Sequence, residues 1–202
     1  MKINYENKAM IKKIRKEYRN IKKDINDNSN LIMYITSLFM KYILEDIREI
    51  QNMRETINNK RYIYSILRVT VEQVIIYKFL MRNNADNEDL CNDFLGMNID
   101  LVELEKSEKS ELVILKDLRG NRTLLYKNVF KQMCEKFEDI NNETSLYGMY
   151  SEMADFVHNA YYESIVSEYN SEKFSRDWFN TIILFILVDF WKSYDEIRKK
   201  LT

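Results

Sequence analysis

The 202-residue chain has no proline, three glycines (Gly96, Gly120, Gly148), one histidine and two cysteines. Proline and glycine punctuate strands and tight turns, so their scarcity predicts long helices joined by polar Asn, Asp and Ser corners. A single histidine excludes a ferritin-like dimetal centre, which needs two carboxylate-x-x-His motifs; "DFVH", ending at His158, supplies one. Cys91 and Cys134 lack C-x-x-C spacing, and a tetrahedral zinc site would need both and more besides. No metal and no cofactor are therefore expected. There is no glycine-rich phosphate loop, and Ser151 lacks the strained turn that exposes a serine nucleophile. With no secretory leader in view, the two cysteines read as reduced thiols of a cytoplasmic protein. The most apolar run, "TIILFILV", is bounded by Asn180 and Asp189 and falls short of the roughly 20 residues of a spanning helix. No membrane association is expected.

What is present is core-forming and charged. Hydrophobic residues at 46% and charged residues at 31% fit a folded globular protein, and this length fits one domain with a real core. The expected fold is an all-α, single-domain bundle of about five to seven helices. The net charge of −1 is unevenly placed. Residues 1–25 carry nine Lys/Arg against three Asp/Glu, a local +6, leaving −7 for the remainder.

That basic segment sets Ile11, Ile14, Tyr18, Ile21 and Ile25 at alternating steps of three and four, an a/d seam. Lys12, Lys13, Arg15, Lys16 and Arg19 occupy its other faces. The pattern suits a first helix packed edge-on to the bundle, a phosphate-binding arm or a dimer seam. The chain accordingly divides into a basic amphipathic helix over 1–28 and a bundle over 29–202. In "NDNSN", Ser29 or Asn30 offers the next cap. Further helices are expected over about 31–54, with Leu31, Ile35, Leu38, Tyr42 and Ile43 inward, and over 61–81, 145–169 and 175–201. Residues 83–100 read as a polar corner, and 101–118 as one charged helix or two pieces. "TLLYKNVFKQMCEKF" reads as a helix with Leu125, Val129, Met133 and Phe137 inward.

In "RYIYSILRVTVEQVIIYKFLM" apolar residues point in nearly every direction, which marks a central helix. Its polar exceptions, Ser65, Arg68 and Glu72, share one stripe, and Arg68 and Glu72 are one turn apart. They form either an internal ion pair or an anion-holding arginine oriented by Glu72. On the 145–169 helix, Leu146, Tyr150, Met153, Val157 and Tyr161 form the core face. Ser151, Asp155, His158 and Tyr162 form a second, polar stripe, with Asn159 beside it. Asp155, three residues before His158, is placed to hold a ring nitrogen. His158 is then either a satisfied structural residue or a general acid/base.

These two segments, "RVTVE" and "YSEMADFVH", resemble the HEPN-like helical proteins of bacteria and archaea, in the branch with an Arg-x-x-x-Glu helix followed by a Tyr…Val-His helix. The resemblance covers roughly residues 60–165. It implies a small helical bundle, often dimeric and often tied to phage defence or toxin–antitoxin systems; active members are metal-independent RNases. Those members carry an arginine separated from the histidine by four to six residues, where this chain has Ser151, Glu152 and Met153. The departure leads to the expectation of an interaction or regulatory module without intact catalysis, acting as a homodimer or through a partner protein or RNA. The alternatives are a ribonuclease using His158, Arg68 and Glu72, or a small-ligand binder using the Arg68/His158 cavity, with Tyr150, Ser151, Asp155, Asn159 and Tyr162 lining the site.

Overall fold

A computed structural model describes residues 1–25, 31–81, 91, 100–103, 112–116, 122–126, 129–142, 145–169 and 175–201. Helix α1 (Tyr5–Asp24) opens on Asn4, whose side chain accepts the Asn7 N–H at 2.9 Å and so satisfies one orphan donor of the first turn. α2 (Leu31–Asn52) and α3 (Ile57–Met81) follow, then a short α4 (Val129–Cys134), α5 (Leu146–Tyr169) and α6 (Arg176–Leu201). The five long helices build the core, so the architecture is an all-α bundle, as the missing proline and the apolar periodicity require.

Side-chain pairs fix the helix directions. Asn7 meets Asn180, Lys13 lies over the Trp191 ring, and Glu17 meets Tyr194, so α1 and α6 run parallel. Tyr64 packs on Phe179 and Tyr77 on Phe190, so α3 runs the same way. Thr36 meets Tyr77 whereas Asp46 meets Thr70, so α2 is antiparallel to α3. α5 is antiparallel as well, because Tyr64 stacks on Phe156 at 4.4 Å and Arg68 lies over Tyr150. α3 touches α2, α4, α5 and α6, the central position its all-round hydrophobicity predicts.

The α1 seam packs as its spacing predicts, with Ile11, Ile14 and Ile21 buried and Tyr18 and Ile25 against the core. α2 is rotated from the expected face: Ile35 and Ile43 are buried, but Leu38 is half-buried and Tyr42 is exposed. The buried stripe runs instead through Thr36, Phe39, Met40, Ile47 and Ile50. The difference comes from two short polar side chains on the buried face. Thr36 and Ser37 return their hydroxyls to the Ile32 and Tyr34 carbonyls, which lets both sit in the core.

The segment between α3 and α4 departs further. β1 (Asp100–Glu103), β2 (Leu112–Lys116) and β3 (Arg122–Tyr126) form a small antiparallel meander in the order β1-β2-β3. β2 and β3 pair from Leu112↔Tyr126 to Lys116↔Arg122, and β1 pairs with a bulge between Asp100 and Glu103. The apolar runs "LVILK" and "RTLLY" suit strands too short to show helical periodicity. The reading of 101–118 as one charged helix or two pieces is therefore corrected, and so is the helix start at Thr123; Leu125 lies in β3. In α4 and the turn after it, Met133 is buried and Phe137 half-buried. The caps proposed at Ser29 or Asn30 and most of the corner over 83–100 lie outside the described residues.

Candidate functional site

α5 is held at its start by two acceptors. Ser145 Oγ accepts the Gly148 N–H at 2.9 Å, and the Glu138 carboxylate accepts the Leu146 and Tyr147 N–H groups at 3.1 and 2.9 Å. This anchoring places Tyr150 against α3. There Arg68 Nε donates to Glu72 Oε1 at 3.1 Å, and the guanidinium carbon lies 5.6 Å from the Tyr150 ring centroid. An arginine within about 6 Å of an aromatic face is attracted by the ring quadrupole. Phe130 of α4 also packs on Tyr150, the ring centroids 4.9 Å apart.

Both members of the ion pair are mostly covered, with side chains 29% and 22% exposed. Burial pushes the Glu72 carboxyl above the ordinary glutamate range, and the charge and hydrogen bond of Arg68 pull it part of the way back. The structure thus shows the internal ion pair that one-turn spacing predicts, with Tyr150 as a third member.

His158 stands apart. The register set by Tyr64–Phe156 and Arg68–Tyr150 brings it level with the first turns of α3 rather than with Arg68. It lies eight residues beyond Tyr150, about 12 Å along the helix axis. Both His158 and Asp155 are exposed, and among the described residues neither makes a hydrogen bond or ion pair; Asp155 does not hold the ring. Ser151 is half-buried on the same helix. The backbone of Asn159 and Tyr162 continues α5, and their side chains lie outside what is described. The sequence-predicted residues therefore fall into two groups, a packed trio of Arg68, Glu72 and Tyr150 and an open edge bearing Asp155 and His158.

A third group is the face of α1. Lys12, Lys13, Arg15, Lys16 and Arg19 are all exposed. Glu17, the acid in their midst, is turned to α6, where it accepts the Tyr194 hydroxyl at 2.6 Å and pairs with Arg198 at 3.3 Å. Burial, with the Glu17 hydrogen bond, pushes the Tyr194 phenol well above its usual value, so it serves as a donor. Using Glu17 internally leaves the outer cations of α1 without an acid between them.

Sequence reasoning missed a cleft of about 410 Å³ at the end of the bundle where α3 and α6 finish. Its lining comes from three places in the chain: Lys78, Lys136 and Phe137, and the α6 face bearing Lys192 and Lys200. The i, i+4, i+8 run of Lys192, Glu196 and Lys200 was its one local signal.

Among the described residues no group of three or more His, Cys, Asp and Glu side chains is placed to hold a metal ion, and no helix is long and apolar enough to cross a membrane. No family model, curated protein or solved structure matches the chain.

Proposed function

We propose that this chain is a HEPN-like interaction module that works by binding, with RNA as the partner its charge fits best and without an intact catalytic centre. The observation that carries this reading is the separation of its two chemical groups. Metal-free phosphoryl transfer needs a proton-transferring group and a cation aimed at the same phosphate. Arg68 is engaged by Glu72 and the Tyr150 ring, while His158 stands on an open edge two turns further along α5.

The contact between "RVTVE" and the Tyr150 helix supports the family resemblance, because both motifs meet at one helix pair. The exposed cations of α1, Lys12, Lys13, Arg15, Lys16 and Arg19 among them, support a polyanionic partner through sequence-independent attraction to phosphates. Buried free thiols at Cys91 and Cys134 suit a cytoplasmic setting. A role in bacterial defence or toxin–antitoxin control, as a homodimer, completes the reading. Light scattering on the purified chain reads the dimer directly.

The second reading is a metal-independent ribonuclease. The exposure of His158 favours it, since a general acid/base must be reachable by substrate. One experiment separates the two. Labelled single-stranded RNA is incubated with the protein in EDTA at low salt, then run on retention and cleavage gels. Retention that weakens steeply with salt, with no cleavage, supports the binding module. Cleavage that disappears in His158→Ala replaces it with the nuclease, and absence of both retention and cleavage refutes both.

A further inference from the structure

The cleft at the end of the bundle lies outside the Arg68 trio and the His158 edge. Its back wall is an ion pair: Lys78 Nζ sits 2.9 Å from Asp189 Oδ2, with the two side chains 18% and 23% exposed. The Lys78 ammonium also lies 5.0 Å from the Phe137 ring centroid. Met81 and Ile197, 5% and 6% exposed, supply an apolar floor. The rim carries exposed Lys136, Lys192 and Lys200 against one exposed acid, Glu196. With Lys78 matched by Asp189, these rim residues leave the cleft with a formal excess of two positive charges.

Some of that charge has a structural use. Lys78 and Lys200 lie near the C-termini of α3 and α6, where cations offset the helix dipole. Lys192 lies well inside α6, where the dipole does not explain it, and Lys136 follows the six-residue α4 in a turn. Among the described residues no ion pair engages Lys136, Lys192 or Lys200. Unpaired cations converging over an apolar floor, in a volume typical of small-ligand sites, are the makings of an organic-anion site.

We propose that this cleft binds a nucleotide-sized phosphomonoester. The dianionic phosphate is held by Lys136, Lys192 and Lys200, and the organic portion lies toward Met81, Phe137 and Ile197. Ammonium groups act as compact point charges with several donors each, which suits the tetrahedral oxygens of phosphate. The ligand is a free nucleotide or the phosphorylated end of an RNA strand; the chemistry at the cleft is the same. The proposal is independent of RNA binding by α1.

Calorimetry on the full chain with adenosine 5′-monophosphate, adenosine and inorganic phosphate tests it. The expected order is binding of the monophosphate, weaker binding of inorganic phosphate, and no measurable binding of adenosine. Lys136→Ala with Lys192→Ala should weaken the monophosphate at least about tenfold, the loss expected for charge-assisted contacts. Lys12→Glu with Lys16→Glu on α1 should leave it unchanged. A parallel titration with 5′-phosphorylated and 5′-hydroxyl oligoribonucleotides identifies the source. A preference for the phosphorylated end that vanishes in the cleft variant assigns an RNA terminus, and monophosphate binding without that preference assigns the free nucleotide. The proposal falls if neither the monophosphate nor the phosphorylated strand binds, if the cleft variant binds as well as the parent, or if adenosine binds equally.

Discussion

Asn7 of α1 donates its side-chain amide to two oxygens of Asn180 on α6, the side-chain carbonyl at 3.0 Å and the backbone carbonyl at 2.8 Å. The same Asn180 side-chain oxygen accepts the Asn4 N–H at 3.0 Å, and its own amide donates to the Arg176 and Lys2 carbonyls. Both asparagines are almost fully buried. This polar lock pins the basic helix to the bundle at one end, as Glu17–Tyr194 does further along. Asn180→Ala should lower stability by about 2–3 kcal/mol, because it removes an acceptor of the fully buried Asn7 amide and the acceptor of the Asn4 N–H. Urea unfolding measures this, and a change below 0.5 kcal/mol, the range of ordinary surface substitutions, would show that the lock is not needed.

The Arg68–Glu72–Tyr150 trio should behave as structure rather than chemistry. Arg68→Met leaves a mostly covered carboxylate without its partner and should cost about 1–3 kcal/mol. Glu72→Gln should cost less, since the amide oxygen still accepts from Arg68. If both variants unfold like the parent while RNA retention collapses, the trio belongs to the binding surface instead.

Asp46 gives a pH signature. Burial raises its carboxyl above the usual aspartate range, against the lowering hydrogen bonds from Thr70 and Gln73, and the neighbouring Glu45 adds to the rise. A raised acid holds its proton more tightly in the folded chain than in the unfolded one. Between the folded value and the unfolded value of 3.8, the folded state therefore binds more protons, and stability from this group grows as pH falls. Relative to Asp46→Asn, the parent should gain stability on going from pH 7 toward pH 4. Paired urea curves at the two pH values test this; a difference that stays constant or moves the other way contradicts the assignment.

His158→Ala should leave stability within about 0.5 kcal/mol of the parent, the usual range for an exposed side chain. Of the two roles the sequence allows His158, the structural one needs Asp155 to hold the ring, and its loss would then be felt in the fold. The exposure of both residues removes that expectation. Thermal unfolding of the variant checks it, and a large loss would reveal a partner for the ring.

On α1, Lys12→Glu with Lys16→Glu should weaken RNA retention and flatten its salt dependence without altering the fold, since both side chains are exposed. Retention unchanged at low salt would return the α1 cations to the role of a solvated helix face.

The sequence by itself determined the helices. Three-and-four spacing and the lack of proline are local properties, so the ends of α5 and α6, the C-terminal end of α3 and the α1 seam could be read from residues near one another. By contrast, α3 starts at Ile57, four residues before the expected start, because the polar "INNK" forms its first turn instead of a break. The Arg68–Glu72 pair was legible for the same reason, being one turn apart on one helix. Tertiary packing decided what local pattern could not. Thr36 and Ser37 hid the true face of α2 by returning their hydroxyls to the backbone, and short apolar runs carried no period to distinguish β2 and β3 from helix. The exposure of His158 and the partners of Asn180 were equally hidden. Whether a polar side chain on a helix flank faces water or a neighbour depends on the rotation of helices far apart in sequence. Here that rotation left His158 in the open, sealed Asn180 against Asn7, and gathered lysines from α3, α6 and the turn after α4 around one cleft.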